Sequence, residues 1–308
     1  MKENAPRNTP EIPKLDLTLA NQRINALVDA RLKKVRPLKP TDYDLGAIQP
    51  DLVVPDLRQM LVFVAGVESN PIDPAIIQRN AAIAAGATGK VRFLDNVWLP
   101  EELGHAAVTS ELAIRSGGIS GSAMNQLVSQ IKERGFDIGT NYSLIQTDIY
   151  SLLQEKVARY SYNPTMKTGS GDPVINKGFT DLAGQESFHA HVYYEHAKAI
   201  FESNPQHKDY LADQVIEAVA GFILPGHHMF PELQKDAPKW AKKFGFPYKL
   251  LLKELYLGLE ELIEQEGVGK AIRAYASRNE MPWHLKAMLL AAKPLSNERL
   301  AKFAASRV

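Results

Sequence analysis

Two short stretches decide how this chain folds: Trp98-Leu99-Pro100-Glu101-Glu102-Leu103-Gly104-His105 and Gln185-Glu186-Ser187-Phe188-His189. Each contains Glu-x-x-His, and each lies inside a long run of helically spaced apolar residues. Residues three apart on a helix share a face. Glu102 with His105, and Glu186 with His189, can therefore each offer a carboxylate and an imidazole to one point. Working outward, Glu68 follows the apolar segment Phe63–Val67 and precedes Glu102 by 34 positions; Glu155 lies within Tyr150–Tyr162 and precedes Glu186 by 31. The order is Glu, Glu-x-x-His, Glu, Glu-x-x-His: two similar halves, each reading as a helix hairpin with three ligands. A carboxylate alone in an apolar helix, such as Glu68, is costly to bury without a positive partner. A Glu from each of two helices and a Glu-x-x-His from each of the other two is the ligand plan of carboxylate-bridged dimetal bundles. The six residues Glu68, Glu102, His105, Glu155, Glu186 and His189 suit two iron ions per chain, because carboxylates can bridge the pair in both oxidation states.

The composition narrows the alternatives. The chain has 308 residues, 45% apolar and 23% charged, with a formal net charge of +1. That is ordinary for a soluble globular protein and gives no reason to expect nucleic-acid binding. There is no cysteine, which excludes disulfides, thiolate metal sites, iron–sulfur clusters and a cysteine nucleophile. Any metal must be held by carboxylates and imidazoles. The residues up to Pro13 are polar and proline-rich, and read as a disordered arm rather than a signal peptide. The longest apolar runs, Met60–Val67 and Ala218–Leu224, are too short for a membrane span. A cytoplasmic protein is expected.

Beyond the arm the pattern is helical and lacks convincing strand alternation. Helices are expected over Leu15–Val35, Leu57–Ser69, Ala75–Ala87, Lys90–Ser116, Ser122–Arg134, Tyr142–Tyr162, Asn176–Ser203 and Tyr210–Leu224, with two or three more to the end. Short connections favour antiparallel neighbours and an all-α, ferritin-like bundle with flanking helices, forming one domain over residues 14–308. Pro100 should kink or restart the helix that carries Glu102. His191, His196, His227 and His228 read as structural or surface residues. Glu101 points about 100° away from Glu102.

These residues resemble the soluble acyl-carrier-protein desaturases, a family of plant-type enzymes with bacterial relatives. Trp98 to His105 resembles the family's Trp-Thr-Ala-Glu-Glu-Asn-Arg-His segment. Ile149-Tyr150-Ser151-Leu152-Leu153-Gln154-Glu155 resembles Ile-Tyr-x-Ser-Phe-Gln-Glu. Lys39-Pro40-Thr41-Asp42-Tyr43 and Leu224-Pro225-Gly226-His227-His228-Met229 are similar to its flanking loop and turn. The resemblance implies a homodimer whose two irons, reduced by a ferredoxin, activate O2. The resulting oxidant removes two hydrogens from an acyl chain carried on acyl carrier protein and lying in an apolar channel. It implies no catalytic residue beyond the metal ligands. Two positions depart from the family near the ligands: Ala158 stands where a threonine is usual, and Gln185 where an aspartate is usual. A diiron oxygenase that hydroxylates or otherwise oxidises an acyl or aldehyde substrate is therefore the alternative. A non-enzymatic iron-binding or ferroxidase role is the third reading. The basic residues Arg31, Lys33, Lys34, Arg36 and Lys39 read either as a solvated helix end or as a landing site for an acidic carrier protein.

Overall fold

The computed structural model describes residues 12–136, 142–222 and 236–263. Expectations for most of the N-terminal arm, for the turn containing His227 and His228, and for the end of the chain fall outside them. The described helices are α1 (Thr18–Leu32), α2 (Pro55–Glu68), α3 (Ile72–Ala85), α4 (Thr88–Phe93), α5 (Leu99–Arg115), α6 (Gly121–Arg134), α7 (Leu144–Gly169), α8 (Pro173–Ser203), α9 (Lys208–Gly221), α10 (Ala237–Lys243) and α11 (Tyr248–Ile263). No strand occurs among the described residues; one isolated bridge joins Val53 to Ser170.

Local chemistry accounts for the helix ends. Ser143 and Gln146 form a reciprocal capping box that starts α7. The Asp172 carboxylate accepts the backbone N–H groups of Val174 and Ile175 at the start of α8, and also that of Gln49 at 2.8 Å, tying the long 34–54 connection to the bundle. Gly86 ends α3 with φ 78° and Gly135 follows α6 with φ 69°, conformations that a side chain would strain. The helix α7 runs further than the expected Tyr162, and the glycine-rich loop after it shrinks to a few residues.

The expected helix over Lys90–Ser116 is one continuous run with a change of pitch. Between α4 and α5, Leu94–Trp98 forms a π-helical turn in which the Leu99 N–H donates to the Leu94 carbonyl. Pro100, which has no N–H to give, sits at the start of α5 where the ladder has already slipped.

Four elements form the central bundle: α2 packs on α5, α7 on α8, and α5 crosses to α8. Helix α1 lies across α8 and α4. Apolar packing forms two clusters. One gathers Leu94, Val97 and Trp98 with Leu152, Leu153, Val192 and Tyr193. The other gathers Leu61, Val64, Val108, Leu112, Tyr162, Phe179 and Leu182. Along α5, α7 and α8 the ligand candidates fall in the sequence interval between the two clusters. The bundle thus carries a polar layer with apolar layers on either side, which keeps bulk water from the carboxylates.

The stretch Pro55–Ala85 is long and apolar enough by length and composition to cross a membrane. In the structure Ser69–Pro71 break it into α2 and α3, and α2 delivers Glu68 into the bundle.

Candidate metal centre

The structure brings all six expected ligands together. Glu68, Glu102, His105 and Glu186 form one group, and Glu102, Glu155, Glu186 and His189 a second; within each, the donor atoms lie within 4.8 Å of one another. Glu102 and Glu186 belong to both groups and could serve two ions, whereas Glu68 and Glu155 each belong to one. The helices supply these residues as the spacing implies: α2 gives Glu68, α5 Glu102 and His105, α7 Glu155, and α8 Glu186 and His189. All six are buried.

The electrostatics of this layer call for cations. Four carboxylates and two imidazoles share a buried space. Burial, and repulsion from Glu102 and Glu186, push the Glu68 carboxyl well above its ordinary range. Burial and Glu186 do the same to Glu155. Burial works against charge on the imidazoles, yet the surrounding carboxylates outweigh it and drive both His105 and His189 well upward. The layer is short of positive charge and draws protons in compensation. Glu102 Oε1, Glu186 Oε2, His105 Nδ1 and His189 Nδ1 are buried with no hydrogen-bond partner. Buried polar atoms crowded this closely, with His189 Nδ1 3.1 Å from Glu102 Oε1 yet outside hydrogen-bond geometry, are costly unless something binds them. Two divalent ions would satisfy all four, so the donor set fits a metal pair.

Around the ligands lies a ring of hydrogen bonds. Trp98 Nε1 donates to Glu155 Oε1 at 2.9 Å, and the Tyr162 hydroxyl donates to Glu68 Oε1. His189 Nε2 pairs with Glu101 Oε2 at 3.1 Å, and Arg31 grips that carboxylate through bonds of 2.7 and 2.8 Å. His105 Nε2 pairs with Gln185 Oε1 at 2.8 Å. Each imidazole thus turns Nδ1 toward the metal positions and holds its other nitrogen in a fixed bond. The spacing of the ligands did not reveal these partners. Trp98 and Tyr162 carried a signal in their distance from Glu102 and Glu155, whole turns away on the same helix faces; Arg31 carried none, since its partner is 70 positions distant.

Other candidates are redistributed. His196 is buried but holds Asp148 at 2.7 Å rather than joining the ligands. His191 is exposed. Ala158 is partly buried and packs against the second apolar cluster. Of the basic residues, Arg31 is committed to Glu101 and Arg36 pairs with Asp42; Lys33, Lys34 and Lys39 are exposed.

Two cavities flank the site. A small one of about 20 Å³ reaches Glu68 and Glu102 between Val67, Asn70, Trp98 and Phe136. A broad open groove of about 790 Å³ is lined by Arg31, Lys34, Arg36, Lys177 and Gln185.

An all-helical bundle with Glu and Glu-x-x-His on paired helices defines the ferritin-like dimetal carboxylate class. Within that class the chain belongs to the fatty acid desaturase family, whose model matches residues 82–245, more than half of the sequence. It is therefore an oxidoreductase. No curated protein matches it. Among solved structures it is similar to an R2-like ligand-binding oxidase, a point mutant with aerobically reconstituted Mn/Fe cofactor, at 19% identity and a TM-score of 0.44, covering 80% of this chain and 94% of that one.

Proposed function

We propose that this chain is an O2-dependent diiron oxidoreductase that desaturates a fatty acyl chain held on acyl carrier protein, with electrons from a ferredoxin-type donor. The observation that carries the reading is the pair of overlapping donor groups with four orphaned buried atoms, in a member of the fatty acid desaturase family. Glu68, Glu102, His105, Glu155, Glu186 and His189 are the proposed ligands, and a carboxylate-rich set with two imidazoles suits iron. Bound iron would supply the capacity to activate O2 and to break unactivated C–H bonds.

The chain's own residues do the rest. Glu101 and Gln185 hold the imidazoles in one tautomer. Trp98 and Tyr162 fix the Glu155 and Glu68 carboxylates. The apolar layers exclude water, which protects a strong oxidant from side reactions. Gln185 and Arg31, one and two hydrogen bonds from an imidazole, both line the open groove. That supports the groove side as the place where an electron donor approaches. The small cavity at Glu68 has room for about one water-sized molecule, so an acyl chain approaching from that side needs the walls to open.

The chain is proposed to act in the cytoplasm as a homodimer, with a solution mass near twice 34.2 kDa. Two measurements test the assignment. The protein, reconstituted anaerobically with ferrous iron, should hold close to two irons per chain, and Glu186→Ala or His189→Ala should lose iron while keeping the helical signal. Acyl carrier protein substrates incubated under labelled O2 should give an unsaturated product without label. Labelled oxygen in the lipid would identify a hydroxylating or other oxygen-inserting enzyme instead. No iron uptake would remove the metal centre altogether.

A further inference from the structure

The two imidazoles are held by chemically different partners. His189 Nε2–H donates to a carboxylate, Glu101, which Arg31 in turn clamps. His105 Nε2–H donates to a neutral amide oxygen, that of Gln185, whose NH2 group donates to the Arg36 carbonyl at 3.3 Å. The remaining donors are close to balanced. Each carboxylate that belongs to one group accepts one hydrogen bond from an aromatic side chain, Glu68 from Tyr162 and Glu155 from Trp98. Glu102 and Glu186 are common to both groups. The asymmetry therefore concentrates at the imidazoles. A carboxylate that pulls on Nε2–H raises the electron density at Nδ1 and makes the ring a stronger donor; an amide oxygen does so less. Arg31 tempers Glu101 but leaves an ionic acceptor in place.

We propose that Glu101 and Gln185 make the two metal positions unequal: the position built on His189 takes a divalent ion first and more tightly, and the position built on His105 fills second. The inference rests on the metal-centre reading above. Both residues act as positioning residues, through the imidazole each one holds. Gln185 then sets the affinity of the second ion, and at limiting iron the chain carries one metal at the His189 position.

The test is an anaerobic titration of the metal-free full chain with ferrous iron, followed by calorimetry and by the spectrum of the bound iron. The parent should show two steps separated by about tenfold or more, the range that outer hydrogen-bond partners typically command. Gln185→Glu should tighten the weaker step about tenfold and leave the stronger within about threefold. Glu101→Gln should weaken the stronger step by about tenfold. Should Gln185→Glu fail to fold, as judged by its melting curve, Gln185→Leu replaces it and should weaken the second step further. Two equal steps in the parent would overturn the inference and leave the metal centre standing. So would unequal steps that folded Gln185 variants leave unchanged. Absence of any iron binding by the parent would instead overturn the metal centre itself.

Discussion

At the scale of single residues, Lys90 and Asp148 show how a buried charge is answered. Lys90 and Asp148 form a buried pair at 2.5 Å, with Thr147 accepting a second bond from the ammonium at 2.9 Å and His196 holding the other carboxylate oxygen. Burial alone would push the Asp148 carboxyl up; His196 and Lys90 outweigh it and hold the group below the usual carboxylate range. A carboxyl whose folded value is depressed contributes stability above its unfolded value, about 4, and that contribution is lost as pH falls below it. Lys90→Met should therefore cost about 3–5 kcal/mol in urea unfolding at neutral pH. The difference from the parent should shrink below about pH 4; a loss that stayed constant down to acid pH would assign it to packing instead. Ala158 poses the complementary case, a missing polar group. It lies one turn after Glu155, where a hydroxyl could project toward the ligand layer and relay a proton. Alanine cannot, so reductant use is expected to be coupled loosely to product, with hydrogen peroxide released. Ala158→Thr should raise product formed per reductant consumed and lower peroxide; full coupling in the parent would show that another group moves the proton.

At the scale of elements, the sequence made most helices readable because their apolar spacing and their caps agree. Pro71 and Gly135 mark boundaries in the chain and mark them in the structure; Gly86 and Ser143 lie inside expected helices but cap observed ones, and Asp172 starts α8 three residues ahead of the expected Asn176. What spacing did not reveal was the π-turn ahead of Pro100, since a slipped ladder depends on which carbonyls the neighbouring helices leave unpaired. That turn carries a consequence. A proline inside a helix usually costs about 3 kcal/mol relative to alanine, but here the hydrogen bond it would remove is already displaced. Pro100→Ala should change unfolding stability by less than about 1 kcal/mol, within the range of ordinary helix substitutions. A gain near the full proline cost would mean that Pro100 strains the run instead of fitting it. The same helix shows why Gly104 follows Leu103. A Cβ there would meet the Leu38 carbonyl oxygen at 2.5 Å, so only glycine lets the loop after α1 lie against α5 beside the ligands.

At the scale of the whole molecule, the six proposed ligands were legible because a metal layer in a bundle imposes a repeat, and the repeat survives in the spacing of Glu68, Glu102, Glu155 and Glu186. Gln185 stood out through the resemblance alone, and its bond to His105 exists only once α5 and α8 pack together. Arg31 was not legible, because it reaches Glu101 only once α1 packs across the bundle. That packing also rewrites the basic cluster at the end of α1. Arg31 faces inward onto Glu101 and Arg36 is paired with Asp42, which leaves Lys33, Lys34 and Lys39 as the exposed part. In a chain of net charge +1, a local group of lysines beside the open groove can still draw in an acidic carrier protein, because complementary charge accelerates encounter over about a Debye length. The attraction is carried by exposed groups, so salt should weaken it. Reversing Lys33 and Lys34 to glutamate removes the attraction and replaces it with repulsion, without touching any residue of the ligand layer. The expected result is a KM for carrier-bound acyl substrate raised about threefold to tenfold at low salt, converging on the parent value near 0.5 M salt, with kcat and iron content unchanged; such a shift corresponds to roughly 1 kcal/mol of lost encounter energy for exposed charges. A KM indifferent to the reversal at low salt would show that the lysines only solvate the end of α1 and are no docking site for the proposed carrier.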